Sequence, residues 1–316
     1  MSVPGAHPPV IFLMGPTASG KTAAACALVE RFNCEIVSVD SALVYRGMDI
    51  GTAKPNPAVL ARYPHWLVNI RDPAENYSAG QFRDDALAAI DSIARRGRTP
   101  LLVGGTGLYF RTLEHGITTL PKRNDRVRNN LQQELQEVGL STLHLRLKQV
   151  DPVSAARIDA HDTQRILRAL EVFEVAGTPM STLWRTAKKS GFPFHALKLV
   201  LAPSERSWLH DRIRRRFSEM LAAGFVNEVA ALRERGDLSL QYAALRTVGY
   251  RAIWHYLDGE YSYEEMVERG IVATRQLAKR QFTWFRGVSD SKWVDSDREN
   301  SIEQLAMALK LHLQYN

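Results

Sequence analysis

Cysteine is scarce in this chain. Two residues, Cys26 and Cys34, occur among 316. That is too few for a disulfide framework. Their spacing matches no metal motif, and no histidine pair stands beside them at ligand spacing. Long hydrophobic runs are missing as well. No stretch approaches the ~18 apolar residues a membrane span needs; the longest candidate, Val10 to Met14, has the length of a short strand. No basic region precedes an apolar run near the N-terminus, so no secretory leader is expected and the thiols read as reduced groups of a cytoplasmic protein. No internal repeat is present. Acidic residues are the minority charge, 34 against 41 Lys plus Arg, for a net +7. Such a surplus either attracts polyanions or merely keeps the chain soluble, and its distribution decides more than its total. With 45% apolar and 24% charged residues the chain is neither disordered nor low-complexity, and its length suits one or two domains.

What is present begins with an alternation of strand and helix. Val10–Met14 reads as a strand, Gly15–Gly20 as a loop, and Lys21–Phe32 as a helix. Ile36–Val39 is a second strand ending at Asp40, and Trp66–Ile70 a third. Ser78 caps a helix running to about Arg96, with Phe82, Leu87, Ile90 and Ile93 on one face. Pro100–Val103 is another buried strand, closed by Gly104 and Gly105. This order predicts an α/β fold with a parallel, doubly wound sheet. The character changes near Leu113, after which only helical patterns appear until about Pro193. Thr163 is expected to cap a helix there that carries Ile166, Leu167, Leu170 and Phe173. Strand character returns at Ala196–Ala202. Ser204 then opens an Arg-rich helix, and Ser262 with Glu265 forms a capping box before a helix to about Arg286. The expected organisation is a core of 1–112 with 194–316, and a helical insertion at 113–193.

Gly15-Pro16-Thr17-Ala18-Ser19-Gly20-Lys21-Thr22 fits G-x-x-x-x-G-K-[ST]. Backbone N–H groups of such a loop, with the following helix N-terminus, cradle a di- or triphosphate. Lys21 supplies charge to phosphate oxygens, and Thr22 is placed to hold Mg²⁺. The motif specifies phosphate without specifying ATP. Asp40, at the end of its strand, is either a carboxylate for metal or proton transfer or a turn residue. Arg212 and Arg216 share a helix face and could clamp a leaving phosphate; Arg214 and Arg215 read as solvated surface. Further basic clusters are Lys122 and Arg123 with Arg126 and Arg128, Arg165 with Arg168, and Arg275 with Lys279 and Arg280. Several such clusters raise the prospect of a nucleic-acid track. Trp284 and Phe285 read as core. Two functions stand on these residues alone: a small-molecule or nucleoside kinase, and a transferase acting on RNA with a diphosphate leaving group. A regulatory NTPase would want an acidic pair after a core strand, and none is evident.

Longer blocks separate them. Gly15–Thr22, Ser38–Pro55, Leu102–Tyr109, Asp162–Glu171, Val248–Arg251 and Ala273–Gln281 together resemble the bacterial tRNA dimethylallyltransferases, in family order across nearly the whole chain. The Asp40–Pro55 and Thr274–Gln281 blocks are the most specific. Two positions depart from the family pattern: Lys122–Asp125 follows Pro121 where an acidic-Pro pair is common, and Asn69 stands where Asp is common. The eukaryotic relatives' zinc-finger extension is absent.

The resemblance implies transfer of a five-carbon prenyl group from dimethylallyl diphosphate to the N6 amine of the adenosine 3′ to a tRNA anticodon. It implies a P-loop-like core, a helical insertion that grips the anticodon stem-loop, Mg²⁺ as cofactor, no membrane, and a monomer. By family pattern Asp40, Thr106 and Lys21 are catalytic. Gly15, Thr17, Ala18, Ser19, Gly20, Lys21 and Thr22, with Arg212 or Arg216, bind the diphosphate. Asp40, Ser41, Ala42, Leu43, Thr106, Arg128, Gln164, Arg165, Ile166, Leu167, Arg168, Arg246, Thr247, Val248, Gly249, Tyr250, Arg251, Lys279, Arg280 and Gln281 contact tRNA.

Overall fold

The computed structural model describes residues 9–116, 120–121, 124–186 and 192–315. Lys122 and Arg123, part of one expected basic cluster, lie outside them. The chain divides into two compact units, Met1–Glu114 with Phe192–Asn316, and His115–Gly191.

The first unit begins with β1 (Pro9–Met14), α1 (Lys21–Arg31), β2 (Cys34–Val39), α2 (Pro57–Arg62), β3 (His65–Trp66), α3 (Ala79–Arg95), β4 (Thr99–Gly104) and α4 (Gly107–His115). The second unit holds α5 (Asp125–Val150), α6 (Pro152–Ala155), α7 (Thr163–Ala176) and α8 (Met180–Thr186). The first unit resumes with β5 (His195–Ala202), α9 (Arg206–Ala222), α10 (Phe225–Glu234), α11 (Tyr250–Leu257), α12 (Tyr263–Phe285), β6 (Ser291–Asp295) and α13 (Ser301–Tyr315).

All six strands form one sheet, ordered β3-β2-β4-β1-β5-β6, and every pairing is parallel. Both faces must therefore be covered, which explains why β1 is apolar at consecutive positions. Val10, Phe12 and Met14 enter one core; Ile11 and Leu13 enter the other, under α1 and α13. β1 is central, flanked by β4 and β5. The chain leaves it toward β2 on one side and returns through β5 on the other, so a crevice opens at its carboxyl end.

Local chemistry sets the boundaries. Ser78 and Gln81 make the reciprocal capping box that starts α3, and Ser262 with Glu265 makes the one that starts α12. Three expectations need correction. The third strand stops at Trp66, because Leu67 (φ 64°) and Asn69 (φ 59°) turn the chain into the left-handed region. The cap of α7 is Asp162, whose carboxylate accepts from Arg165 N, and Thr163 is the first helical residue. α9 begins at Arg206 behind Glu205; Ser204 instead turns its N–H and hydroxyl to Asp295 and Asp297.

The second unit shows no strand among its described residues. Its core gathers Leu131, Leu143 and Leu147 of α5 against Ile166, Leu167 and Leu170 of α7. Gly139 (φ 78°) breaks α5 into two helical stretches.

Candidate active site

The loop after β1 turns sharply. Ala18 sits at φ 63° and Gly20 at φ 93°, the latter directly before α1. Alternation with the left-handed region aims successive N–H groups at one point, the geometry of an anion nest. Gly15 is required for a different reason: a Cβ there would lie 2.1 Å from the Leu201 carbonyl oxygen of β5. Ser19 is buried and its hydroxyl finds no partner among the described residues, whereas Thr22 is exposed and lines the cavity. Lys21 Nζ donates to Pro16 O at 2.6 Å, folding back over the loop. Desolvation holds its ammonium down to about pKa 7; Asp40 opposes this shift and Arg216 adds to it.

Asp40 follows β2 on the facing wall. Its Oδ1 accepts from Ala42 N at 2.8 Å and Leu43 N at 3.3 Å, an Asx-type turn. The side chain thus makes the turn and also lines the cavity. The same turn is tied to the loop after β4, since Ser41 N donates to Thr106 Oγ1 at 3.1 Å.

Gln281 of α12 joins the loops that follow β1 and β4. Its Oε1 accepts from Thr17 N at 2.8 Å and its Nε2 donates to Gly105 O at 2.9 Å. Gly105 leaves the room for this, because a Cβ there would meet Gln281 Nε2 at 2.4 Å. The arginines of α9 divide their work. Arg212 Nε donates to Ala18 O at 2.9 Å, and the guanidinium lies over the Trp208 ring at 4.6 Å. Arg216 reaches Thr52 O at 3.5 Å. Burial lowers its pKa and Asp40 raises it, so Lys21, Asp40 and Arg216 sense one another electrostatically.

Behind the cavity, Glu228 of α10 grips a loop. Its carboxylate accepts from Asp49 N (2.9 Å), Ile50 N (2.7 Å), Gly51 N (3.1 Å) and the Tyr250 hydroxyl (2.6 Å). Lys54, its side chain buried, donates to Tyr45 O, Asp49 Oδ1 and Asn69 Oδ1. Asn69 therefore fills an acceptor role without charge, and Asp49 supplies the counter-charge.

These groups surround a cavity of about 900 Å³ within the first unit. It brings together Thr17, Ala18, Gly20, Lys21, Thr22, Asp40, Ser41, Ala42, Leu43, Thr106, Arg212, Arg216, Arg246, Thr247, Val248, Arg280 and Gln281. Other expected site residues are elsewhere. Tyr250 is fully buried with its hydroxyl on Glu228, and Gly249 is buried beside it, so the Tyr250 side chain presents no face to a ligand. Arg251 and Lys279 are exposed but do not line the cavity. Arg128, Gln164, Arg165, Ile166, Leu167 and Arg168 belong to the second unit. There Ile166 and Leu167 are core, which leaves their side chains nothing to offer RNA. Gln164 and Arg165 are exposed, while Arg128 and Arg168 lie 3.7 and 3.1 Å from the buried Glu171 carboxylate.

Trp284, expected as core, is half-buried and lines the cavity. Its missed signal is periodicity. Thr274, Leu277, Gln281 and Trp284 recur at helical spacing, and all four line the cavity. Glu228 carried no local motif, since the three backbone N–H groups it accepts from lie almost 180 residues away in sequence.

A family model described as IPP transferase matches residues 43–288. The tRNA dimethylallyltransferase of Nitrosococcus oceani is 53% identical over 307 residues, covering 97% of this chain and 98% of that one. Its namesake from Halorhodospira halophila is 56% identical over 289 residues, covering 92% and 93%. Among solved structures, the full-length tRNA isopentenylpyrophosphate transferase from Bacillus halodurans aligns at a TM-score of 0.72 with 34% identity, over 98% of this chain and 97% of that one. A eukaryotic dimethylallyltransferase solved acting on tRNA aligns at 0.82 with 26% identity, over 98% and 80%. The blockwise resemblance read from the sequence thus extends through the whole chain, and the chain belongs to the IPP transferase family.

Proposed function

We propose that this protein transfers the dimethylallyl group of dimethylallyl diphosphate to the N6 amine of the adenosine 3′ to the anticodon in tRNA, releasing diphosphate. The observation that carries the reading is one cavity with a phosphate loop on one wall and the Asp40 carboxylate on the other. Family membership supports a prenyl diphosphate over the kinase alternative.

The chemistry follows from these groups. The N6 lone pair is delocalised into the purine, so the amine is a weak nucleophile. As N6 bonds to C1 of the dimethylallyl group, the C1–O bond to diphosphate breaks. Asp40 takes the proton that N6 must lose. Charge accumulates on the departing oxygen, where loop N–H groups, Lys21 and Arg216 stabilise it. Arg216 is assigned this contact because it lines the cavity and its guanidinium is held, among the described residues, only by a long 3.5 Å contact to Thr52 O. Arg212, committed to Ala18 O, braces the loop. Thr106 holds the Asp40 turn through Ser41 N. The adenine must leave its stack to enter, at a cost of a few kcal/mol that an anticodon-loop base keeps low.

The donor set fits Mg²⁺ carried by the diphosphate. Thr22 is exposed in the cavity, and the described residues hold no cluster of three His, Cys, Asp or Glu that would cage an ion alone. Bound there, with Thr22 as its protein ligand, the ion would neutralise leaving-group charge. No helix of the described residues is long and apolar enough to cross a membrane. A tRNA substrate supports a cytoplasmic location.

The test is to incubate the protein with labelled dimethylallyl diphosphate and, separately, labelled ATP, each with and without tRNA. Label should pass from the prenyl diphosphate into tRNA, with Mg²⁺ and without ATP. Phosphorylation of a small molecule from ATP, with no prenylated tRNA, would establish a kinase instead.

A further inference from the structure

A second, smaller cavity of about 310 Å³ opens in the first unit between the segment that follows β5, the last turn of α12 and Trp293 of β6. It is lined by Pro203, Ser204, Arg206, Phe282, Arg286 and Trp293. None of these residues lines the main cavity. α12 contributes to both, through different faces: Leu277, Arg280, Gln281 and Trp284 face the main cavity, while Phe282 and the C-capping Arg286 face the smaller one.

Two features give this cavity a chemistry. The first is an aromatic surface. Phe282 and Trp293 lie nearly parallel, with ring centroids 6.5 Å apart and planes at 22°. Trp293 is 43% exposed, unusual for the largest apolar side chain. The second is uncompensated positive charge. The Arg206 and Arg286 side chains are exposed and make no ion pair or hydrogen bond with any described residue. The nearby carboxylates do not serve them. Asp295 accepts from Ser204 N at 2.9 Å and lies 3.6 Å from Arg298; Asp297 accepts from the Ser204 hydroxyl at 3.3 Å. An exposed ring with two free guanidiniums suits a group that is anionic at one end and flat at the other. A nucleotide of a single-stranded or loop RNA segment has that form: phosphate for the arginines, base or sugar for the ring.

We infer that this cavity is a second RNA subsite, taking a phosphate and its adjoining nucleotide from the tRNA substrate at a point other than the reacting adenosine. This rests on the proposed activity, because it is the tRNA that supplies the nucleotide. The subsite anchors RNA and takes no part in bond breaking. It adds one phosphate contact to those the main cavity makes.

The experiment measures prenyl transfer and direct binding of an anticodon stem-loop RNA at several salt concentrations. It compares wild type, Arg206→Ala/Arg286→Ala, Trp293→Ala, Trp293→Phe, and the control Lys310→Ala. Lys310 is an exposed cation of α13, on the part of the molecule packed against α1. The double arginine variant should raise the KM for tRNA roughly tenfold and flatten the log–log salt dependence of binding by about one unit, as for one phosphate lost. Most of its effect should fall on KM. Trp293→Ala should raise KM without changing the salt slope, and Trp293→Phe, which keeps a ring, should recover most of the loss. Lys310→Ala should leave slope and KM alone. If wild type prenylates tRNA while the arginine variant keeps its KM and slope, the subsite is overturned and the proposed activity stands. If Lys310→Ala flattens the slope as much as the double variant, the effect is net charge and the subsite is again overturned. If wild type prenylates no tRNA, the proposed activity falls first. An unchanged affinity of the arginine variant for the stem-loop would then remove the subsite as well.

Discussion

Asp40 and Lys21 each combine a role in the fold with a part in the proposed chemistry. Asp40 Oδ1 is committed to the N–H groups of Ala42 and Leu43, so the carboxylate is held in place before substrate arrives. Asp40→Ala should lower kcat by roughly 10²–10⁴, the range for a lost general base, with a smaller change in tRNA affinity. Asp40→Asn keeps an acceptor for the turn but cannot take the proton, so its turnover should fall nearly as far with its melting temperature maintained. Near-normal turnover in Asp40→Asn would return Asp40 to the role of a turn residue. Lys21 predicts a pH effect. In the free protein its pKa is held down to about 7 by desolvation, so at pH 8 most of it is neutral. A bound diphosphate favours the charged form, which must be recovered by proton uptake. Calorimetric titration with dimethylallyl diphosphate at pH 8, in buffers of different ionisation enthalpy, should report uptake approaching one proton. Uptake should disappear in Lys21→Met. Equal heats in all buffers for wild type would show that Lys21 is already charged in the empty site. The same depression means that, from pH 7 up to about 10, the unfolded chain binds more protons at this residue than the folded one. Its contribution to stability therefore rises with pH through that window.

At the scale of elements, the site depends on loops clamped from a distance. Glu228 on α10 holds three successive N–H groups of residues 49–51, and the next residue, Thr52, offers its carbonyl to Arg216. Hydrogen bonds to a charged group are worth about 1.5–3 kcal/mol each, though such bonds do not add simply. Glu228→Ala should cost about 2–4 kcal/mol in urea unfolding and should raise the KM for dimethylallyl diphosphate. Glu228→Gln, retaining an acceptor, should recover part of both. An Ala variant with unchanged midpoint and KM would show that the loop holds itself. Such clamps mark the limit of what the sequence reveals. The β1–loop–α1 unit was legible because its determinants are local: an apolar strand, two glycines, Lys21 and a helical pattern within about 25 residues. The caps at Ser78 and Ser262 were legible for the same reason. β6 was not, because its burial alternates too weakly for a period of two, with Lys292 and Trp293 both exposed. The third strand was overread because Leu67 and Asn69 adopt a backbone that their residue types do not advertise. Gln281 was legible as a site residue only through family resemblance. Its actual bonds, to Thr17 and Gly105, join segments 264 and 176 residues away.

At the scale of the whole molecule, the basic residues carry the proposed grip on tRNA, and they are not equivalent. Arg165, Arg251 and Lys279 are exposed. If each meets a phosphate, each Ala variant should weaken tRNA binding and flatten the log–log salt dependence by up to about one unit, with folding stability unchanged. Turnover at saturating tRNA should hold better than KM, because these groups lie away from the breaking bond. Arg168 differs. It lies 3.1 Å from the Glu171 carboxylate, which is only 1% exposed, and donates to Pro121 O at 2.8 Å. Arg128, at 3.7 Å, is the other cation on that carboxylate. Without Arg168 the buried carboxylate keeps, among the described residues, only the more distant Arg128 as a counter-charge, so Arg168→Ala should destabilise the second unit by about 1–3 kcal/mol as well as weaken RNA binding. Arg168→Ala/Glu171→Gln should regain much of the stability, because the buried carboxylate is gone, while the affinity for tRNA stays low. That contrast separates a phosphate contact from a structural strut. Should the double variant recover tRNA affinity along with stability, Arg168 is a strut only. Should the slopes for Arg165, Arg251 and Lys279 all match wild type, these side chains are solvated surface, and the proposed hold of the helical unit on the anticodon stem-loop loses its support.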